Sequence, residues 1–192
     1  METLTLPFIG KTLPDMSLAI YHDDKEKNMR LAAYRGQWLV IFFYPADFTF
    51  VCPTELTDLA NYYTEFAKRN AEIISVSTDT VYAHKAWHDI SPSIRYIRFP
   101  MAADPTGGLC KLLGTYIPEE GISLRATCII DPDGVIRAYE VQDNSIGRSA
   151  GELLRKLDAL TYVRTHGDEV CPANWKAGDT TLTPDIELVG KI

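Results

Sequence analysis

The chain has 192 residues, of which 46% are hydrophobic and 23% are charged, a composition typical of a folded globular protein rather than a disordered one. Its 19 Lys and Arg residues against 26 Asp and Glu residues give a formal net charge of −7, which argues against nucleic acid or an anionic membrane as the main partner. Residues 1–10 carry neither a basic segment nor a long apolar core, so no secretory signal is visible and a cytoplasmic location is predicted.

The first half of the chain predicts two strands that alternate with two helices. Residues 38–44 are a run of aromatic and β-branched side chains ended by Pro45, which predicts a buried strand too short to span a bilayer. Residues 54–70 carry apolar side chains at the i, i+3, i+4 spacing of a helix with one buried face. A second buried strand is predicted over 72–77, and a short helix over 81–89.

The second half of the chain predicts a hairpin and a further helix. Residues 126–130 and 135–141 are strand-like, and the Asp-Pro-Asp-Gly turn between them predicts a hairpin. An apolar stripe predicts a helix over 150–163. This order of elements indicates an α/β fold in which a mixed central sheet is covered by helices. We expect this domain to span 1–165 and an arm that needs another surface to lie on to span 166–192, where the regular pattern stops.

The cysteines and histidines of the sequence form neither a complete metal-binding motif nor a dithiol motif. The four cysteines are Cys52, Cys110, Cys128 and Cys171. They form no C-x-x-C pair, so neither a zinc ribbon nor an adjacent dithiol is predicted, and each is an inert core residue or a reactive thiol. Apolar neighbours favour inert packing for Cys110 and Cys128. His84 and His88 have the i, i+4 spacing of a zinc-binding helix, but without a third ligand no metal site is predicted.

Cys52 lies at a position that activates a thiol. It directly precedes Pro53, which fits the first turn of a helix, and Glu55 follows where helix starts often carry an acid. The unpaired N–H groups and the positive dipole end of such a helix favour the thiolate, which is the nucleophilic form. Thr49 carries a hydroxyl that can reach the sulfur or a bound oxygen. The alternative interpretation is a small buried cysteine beside a threonine that caps the loop backbone.

Two cysteine motifs resemble those of a known enzyme family. Residues 44–56, with the sequence YPADFTFVCPTEL, resemble the active-site loop of the typical 2-Cys peroxiredoxins. Residues 169–175, with the sequence EVCPANW, resemble the resolving-cysteine segment of the same family. Residues 175–192 are similar to the C-terminal end of the bacterial alkyl hydroperoxide reductase C subtype. Two motifs in this order are more specific than a lone cysteine, and the similarity extends over nearly the whole chain.

The resemblance implies a thioredoxin-like fold and a thiol-dependent peroxidase. Its substrates would be hydrogen peroxide and organic hydroperoxides, reduced to water and alcohols. Cys52 is implied to be the peroxidatic nucleophile, and its sulfenic acid is implied to be resolved as a disulfide with Cys171 of the partner subunit. Disulfide formation would stop further oxidation of the sulfur to sulfinic acid.

The resemblance also implies the other members of the peroxide site. Pro45, Thr49 and Arg125 are carried over as catalytic positions, and Glu55 and Arg148 as supporting charged positions. Because arginine is always protonated, Arg125 can hold the peroxidatic sulfur ionised and stabilise charge on the peroxide oxygens. Thr49 can hydrogen-bond the attacked peroxide, and Pro45, which lacks an N–H, can shield the sulfur from water. Without the resemblance, Arg125 would be interpreted as a surface charge beside a strand.

The resemblance further implies how the chain assembles and is recycled. A homodimer with two sites is expected, assembling into a ring such as a decamer, with no bound cofactor. Reducing equivalents are expected from a flavin disulfide reductase fed by NADH or NADPH, or from a thioredoxin-type donor. Two other functions stay open: a holdase chaperone of the same family, and a general thiol–disulfide exchanger, against which the missing C-x-x-C argues.

Overall fold

The computed structural model describes residues 6–192, in which the first strand begins at Ser17. The strands are β1 (Ser17–His22), β2 (Lys25–Arg30), β3 (Trp38–Phe43), β4 (Ala71–Ser77), β5 (Met101–Ala103), β6 (Tyr116–Ile117), β7 (Ile122–Ser123), β8 (Arg125–Ile130) and β9 (Ile136–Gln142). The helices are α1 (Cys52–Lys68), α2 (Val81–Ile90), α3 (Gly108–Leu112) and α4 (Ala150–Thr165). Two compact units are present, one ending at Ser149 and the other comprising Ala150–Ile192.

The first unit is built on a mixed sheet. Within the described chain, its strand order is β2-β1-β5-β4-β3-β8-β9. β3, β4 and β5 are parallel, whereas β8 pairs antiparallel with β3 and β9 antiparallel with β8. All six residues of β3 are buried, as expected for a strand that has neighbours on both sides and reads as one apolar run. α1 packs on β4, and α2 packs on β1 and β5. The predicted α/β class, a mixed central sheet covered by helices, is confirmed.

The edge strand β2 and its neighbour β1 are absent from the predicted elements. β2 has the sequence KEKNMR, in which Met29 is buried, so it lacks the apolar run or clean alternation that predicts a strand. Its pairing with β1 depends on a two-residue turn in which Asp23 and Asp24 have φ values of 53° and 57°. Asp tolerates this left-handed backbone better than most residues, and the conformation matches the twist of a tight hairpin. The hairpin is therefore encoded by its turn and its partner strand.

The second unit begins with α4, on which Leu153, Leu154 and Leu157 are buried. After α4 the chain contains a short antiparallel bridge between Val170 and Leu182, and a 3₁₀ turn at Ile186–Leu188. The boundary predicted between a domain over 1–165 and an arm over 166–192 stays a prediction. None of the helices in the described part of the chain is long and apolar enough to cross a membrane.

Candidate active site

Cys52 is the first residue of α1, at the end of a loop that leaves β3. The helix therefore begins two residues before the predicted start at 54, because Pro53 is tolerated in a first turn, where its missing N–H has no helical partner. Val51 is the N-cap, and Glu55 is the acidic residue of the first turn. The predicted position of Cys52 beside the N-cap is confirmed.

The sulfur of Cys52 is fully buried, yet a charged side chain faces it. Arg125, at the start of β8, places Nη1 3.3 Å from the Cys52 sulfur and is itself only 3% exposed. The antiparallel pairing of β8 with β3 brings Arg125 next to the end of β3, from which the Cys52 loop departs. Arg125 is held by Asn144, whose carbonyl accepts from Nε at 2.9 Å and whose side chain accepts from the Arg125 backbone N–H at 3.1 Å. No local sequence pattern marked Asn144, which follows β9.

Glu55 joins Arg125 and Arg148 into a buried ion triad. Its Oε2 accepts from Arg125 Nη1 at 2.6 Å, and its Oε1 accepts from Arg148 Nε at 2.9 Å and from the Arg148 backbone N–H at 2.8 Å. Arg148 also donates to the carbonyls of Phe43 and Ala126, at 2.7 and 2.6 Å, so it ties the end of β3 to β8. The triad fixes the guanidinium of Arg125 at the sulfur.

Pro45 and Thr49 share the loop that precedes Cys52. Pro45 is buried and Thr49 is half-buried. The Thr49 hydroxyl donates to the carbonyl of Ala46 at 2.9 Å, the backbone-capping contact of the alternative interpretation. Within residues 6–192, no hydrogen bond joins Thr49 to the Cys52 sulfur. Because its hydrogen is committed to Ala46, the lone pairs of the Thr49 oxygen can accept from a second donor.

A second buried network lies behind the same loop. Asp47 accepts from the hydroxyl of Tyr44 at 2.7 Å and lies 2.8 Å from Nδ1 of His84, while its backbone N–H donates to Asp79 at 2.8 Å. Burial, reinforced by the Asp47 charge, raises the pKa of Tyr44 well above its ordinary value. In the sequence, His84 stands out only as one of two histidines with the i, i+4 spacing of zinc ligands. In the structure, His84 instead contacts Asp47 and so holds the loop that precedes Cys52.

The two histidines of that pair do not converge on one site. His88 faces the carbonyl of Ile97, at 3.3 Å from Nε2. Its potential ligand atoms lie within 4.8 Å of those of Asp24 and Asp89, but both carboxylates are exposed. Lys85 also neutralises Asp89 across 2.6 Å. The prediction of no metal site stays a prediction.

Cys110 and Cys128 are buried, whereas Cys171 is only partly buried. Burial raises the pKa of Cys110 and of Cys128 to about 12 in each case. Cys171 is only partly buried, and its pKa is raised by burial and by the charge of Glu169, while Arg155 opposes the shift. Cys110 and Cys128 therefore have the character of inert core residues.

We expect iodoacetamide at pH 8 to modify Cys171 of the reduced, folded protein before Cys110 or Cys128. A thiol with a pKa of about 12 is ionised to only ~10⁻⁴ at that pH, and both buried sulfurs are also shielded from the reagent. Quantitative mass spectrometry of the digested protein measures the order, with labelling in guanidinium as the control for equal detection. Labelling of native Cys110 or Cys128 at the rate of Cys171 would contradict the assignment.

Comparison with known proteins identifies the family. The model of the AhpC/TSA family matches residues 9–139, and that of the C-terminal domain of 1-Cys peroxiredoxin matches residues 159–190, a segment that contains Cys171. An alkyl hydroperoxide reductase C of Pseudomonas aeruginosa is 48% identical over 187 residues, covering 97% of this chain and 100% of the relative. An alkyl hydroperoxide reductase C of Escherichia coli is 52% identical over 157 residues, covering 82% of this chain and 84% of the relative.

Solved structures agree with the sequence relatives. The crystal structure of Enterococcus faecalis AhpC matches with a TM-score of 0.84 and 44% identity, over 86% of this chain and 99% of that one. The reduced 2-Cys peroxiredoxin of Plasmodium vivax matches with a TM-score of 0.89 and 32% identity, over 94% of this chain and 95% of that one. The thioredoxin-like fold and the membership in the peroxiredoxin family that the two cysteine motifs imply are confirmed. The chain belongs to the AhpC/TSA family of peroxiredoxins.

Proposed function

We propose that this chain is a thiol-dependent peroxidase that reduces hydrogen peroxide and organic hydroperoxides to water and alcohols. The observation that carries the proposal is the Cys52 sulfur, buried at a helix start, 3.3 Å from a guanidinium that Glu55 and Asn144 hold in place. The relatives are named for hydroperoxide reduction, which favours a peroxidase over the holdase alternative.

The site supplies what cleavage of a peroxide bond requires. The thiolate of Cys52 attacks the hydroxyl oxygen of the hydroperoxide, so that an S–O bond forms as the O–O bond breaks. The second oxygen takes up the proton that the thiol lost on ionisation and leaves as water or alcohol. The charge of Arg125, fixed in a water-poor site, stabilises the thiolate and the negative charge that develops on the leaving oxygen. We assign Thr49 the role of accepting a hydrogen bond from the bound hydroperoxide, and Pro45 that of shielding the sulfur. The product on Cys52 is a sulfenic acid.

We assign Cys171 the role of resolving thiol. Its thiol condenses with the Cys52 sulfenic acid to form a disulfide and one water, so no further oxidant is needed. Because Cys52 is buried at the start of α1, the first turn of that helix must open before two sulfurs can bond. We propose that Cys52 of one chain bonds to Cys171 of the partner subunit in a homodimer. Ile186, Val189 and Ile192, exposed at 83%, 73% and 83%, support an arm that lies on another surface.

We further propose how the disulfide is reduced and how the dimers assemble. The disulfide is returned to two thiols by a flavin disulfide reductase with NADH or NADPH, or by a thioredoxin-type donor. Dimers assemble into a ring, with a decamer as the expected size, in the cytoplasm. Nucleic acid and membranes are not expected partners, since the formal net charge is −7.

One equivalent of hydrogen peroxide tests the proposal directly. We expect non-reducing gel electrophoresis to show two chains linked, and peptide mapping to recover a Cys52–Cys171 disulfide. Cys52→Ser and Cys171→Ser should each abolish that peptide, whereas Cys110→Ser should form it as the wild type does. Recovery of the peptide from single chains would contradict the partner-subunit arrangement. Peroxide left unconsumed by the reduced wild type would contradict the peroxidase itself.

A further inference from the structure

The segment that carries Cys171 is fastened by a carboxylate two residues before the cysteine. Oε2 of Glu169 accepts from the hydroxyl of Tyr162 at 2.7 Å, and from the hydroxyl of Thr181 as well. Tyr162 belongs to α4, whereas Thr181 lies in the chain beyond Cys171. One oxygen atom of the half-buried Glu169 therefore joins the helix, the cysteine segment and the returning chain.

Backbone contacts also hold the chain next to Cys171. Val170 and Leu182 exchange backbone hydrogen bonds of 2.8 and 3.1 Å. Downstream, Trp175 is 3% exposed, and its carbonyl accepts from Arg155 of α4 at 2.8 Å. These contacts anchor the backbone on both sides of the cysteine.

The sulfur of Cys171 contributes little to this anchoring. It is partly exposed, and it donates to the carbonyl of Ala159 across 3.9 Å, at the long end of a weak S–H contact. Hydrogen bonds to an ionised carboxylate are stronger than those between neutral groups. The bonds to Glu169, two residues from Cys171, are therefore stronger side-chain contacts to this segment than the sulfur's own.

We propose that Glu169 is a positioning residue of the resolving step, and that Tyr162, Glu169 and Thr181 form a latch that retains Cys171 on α4 until Cys52 is oxidised. The inference rests on the proposed role of Cys171. The latch sets how often the Cys171 thiol is released to condense with the Cys52 sulfenic acid, a step that forms one S–S bond and one water. A slower release leaves the sulfenic acid exposed for longer to a second peroxide, which oxidises it to sulfinic acid.

The charge of the latch acts in the same direction as its hydrogen bonds. Burial and the Glu169 carboxylate raise the pKa of Cys171, against the opposing charge of Arg155. While Glu169 stays beside it, the Cys171 thiol is thus less ionised and less nucleophilic. Release from α4 exposes the sulfur and removes the contribution of burial to the raised pKa.

Single hydroxyl deletions test the latch without removing its charge. Tyr162→Phe deletes one donor but keeps the ring that stacks on His166 at 4.0 Å, and Thr181→Val deletes the other donor at nearly constant volume. Thr181→Ser is the matched control, because serine retains the hydroxyl. Two rates are measured: iodoacetamide labelling of Cys171 in the reduced protein, and appearance of the Cys52–Cys171 disulfide after one equivalent of hydrogen peroxide.

We expect Tyr162→Phe and Thr181→Val to raise both rates roughly threefold to tenfold, the range for the net contribution of one intramolecular hydrogen bond, and Thr181→Ser to stay near wild type. The yield of sulfinic acid at Cys52 under excess peroxide should fall in the two fast variants. Unchanged rates in both, with a normal disulfide in the wild type, would overturn the latch alone. A wild type that consumes peroxide but forms no Cys52–Cys171 disulfide would overturn the proposed resolving role of Cys171, and with it the role of Glu169 in resolution.

Discussion

Peroxide reduction by the Arg125→Lys variant is expected to be about 10²- to 10³-fold slower than by the wild type, the usual cost of losing a preorganised donor to a developing negative charge. Nη1 of Arg125 reaches both the Cys52 sulfur and Glu55, while Nε is committed to Asn144. A lysine keeps the charge but has a single nitrogen on a flexible chain, which cannot serve three partners in this arrangement. The loss should therefore appear although the net charge is unchanged.

Stopped-flow measurement of peroxide consumption provides the rate for Arg125→Lys. Arg137→Lys is the matched control, because Arg137 also lies on a strand of the sheet and pairs with an acid, Asp131, but its side chain is 43% exposed. The control should retain the wild-type rate. Equal rates for Arg125→Lys and the wild type would show that the charge alone, and not the two-sided geometry of the guanidinium, supports the reaction.

Replacement of Glu55 by Gln is expected to lower the free energy of unfolding by about 3–5 kcal/mol, the range for breaking a buried ion pair from one side. The side chains of Glu55, Arg125 and Arg148 are 1%, 4% and 5% exposed, so the variant would leave two buried guanidinium groups without their carboxylate. Burial already lowers the pKa of Arg148, and the Glu55 charge counteracts that shift. The remaining cations would also repel each other across the vacated charge.

Urea unfolding followed by circular dichroism measures the loss of stability. Glu65→Gln is the matched control, because it makes the same change on the same helix, at an exposed carboxylate paired with Lys68 and Arg69. Exposed pairs of this kind contribute little, so the control should unfold close to the wild-type midpoint. A Glu55→Gln midpoint as close as that would mean that the amide satisfies both arginines, and that the triad is not an important source of stability.

The elements that sequence patterns predict best are those with buried, periodic side chains. β3, β4, α1 and α2 lie within a few residues of their predicted bounds, because each buries a continuous run or a helical stripe. Pro53 and the acid after it indicate a helix start near Cys52, although the apolar stripe alone predicts a start at 54, two residues later. Such signals are local, and each depends on residues only a few positions apart.

The surroundings of the Cys52 sulfur were less accessible to sequence patterns. Without the family resemblance, Arg125 would have been assigned to the surface, and neither Asn144 nor the pairing of Asp47 with His84 had a local signal. These contacts arise because the sheet aligns β8 with β3 and because the loop after β9 returns to the start of α1.

The sequence by itself therefore determined the fold class, the principal helices and strands, and the presence of a cysteine at a helix start. Only the tertiary structure decided that this cysteine is buried against a guanidinium, that Glu55 holds two arginines there, and that Glu169 fastens the segment of Cys171. The physical reason is that periodicity and turn chemistry act between neighbours in the chain. The charge around a buried sulfur is instead set by side chains that only long-range strand pairing and loop return bring together.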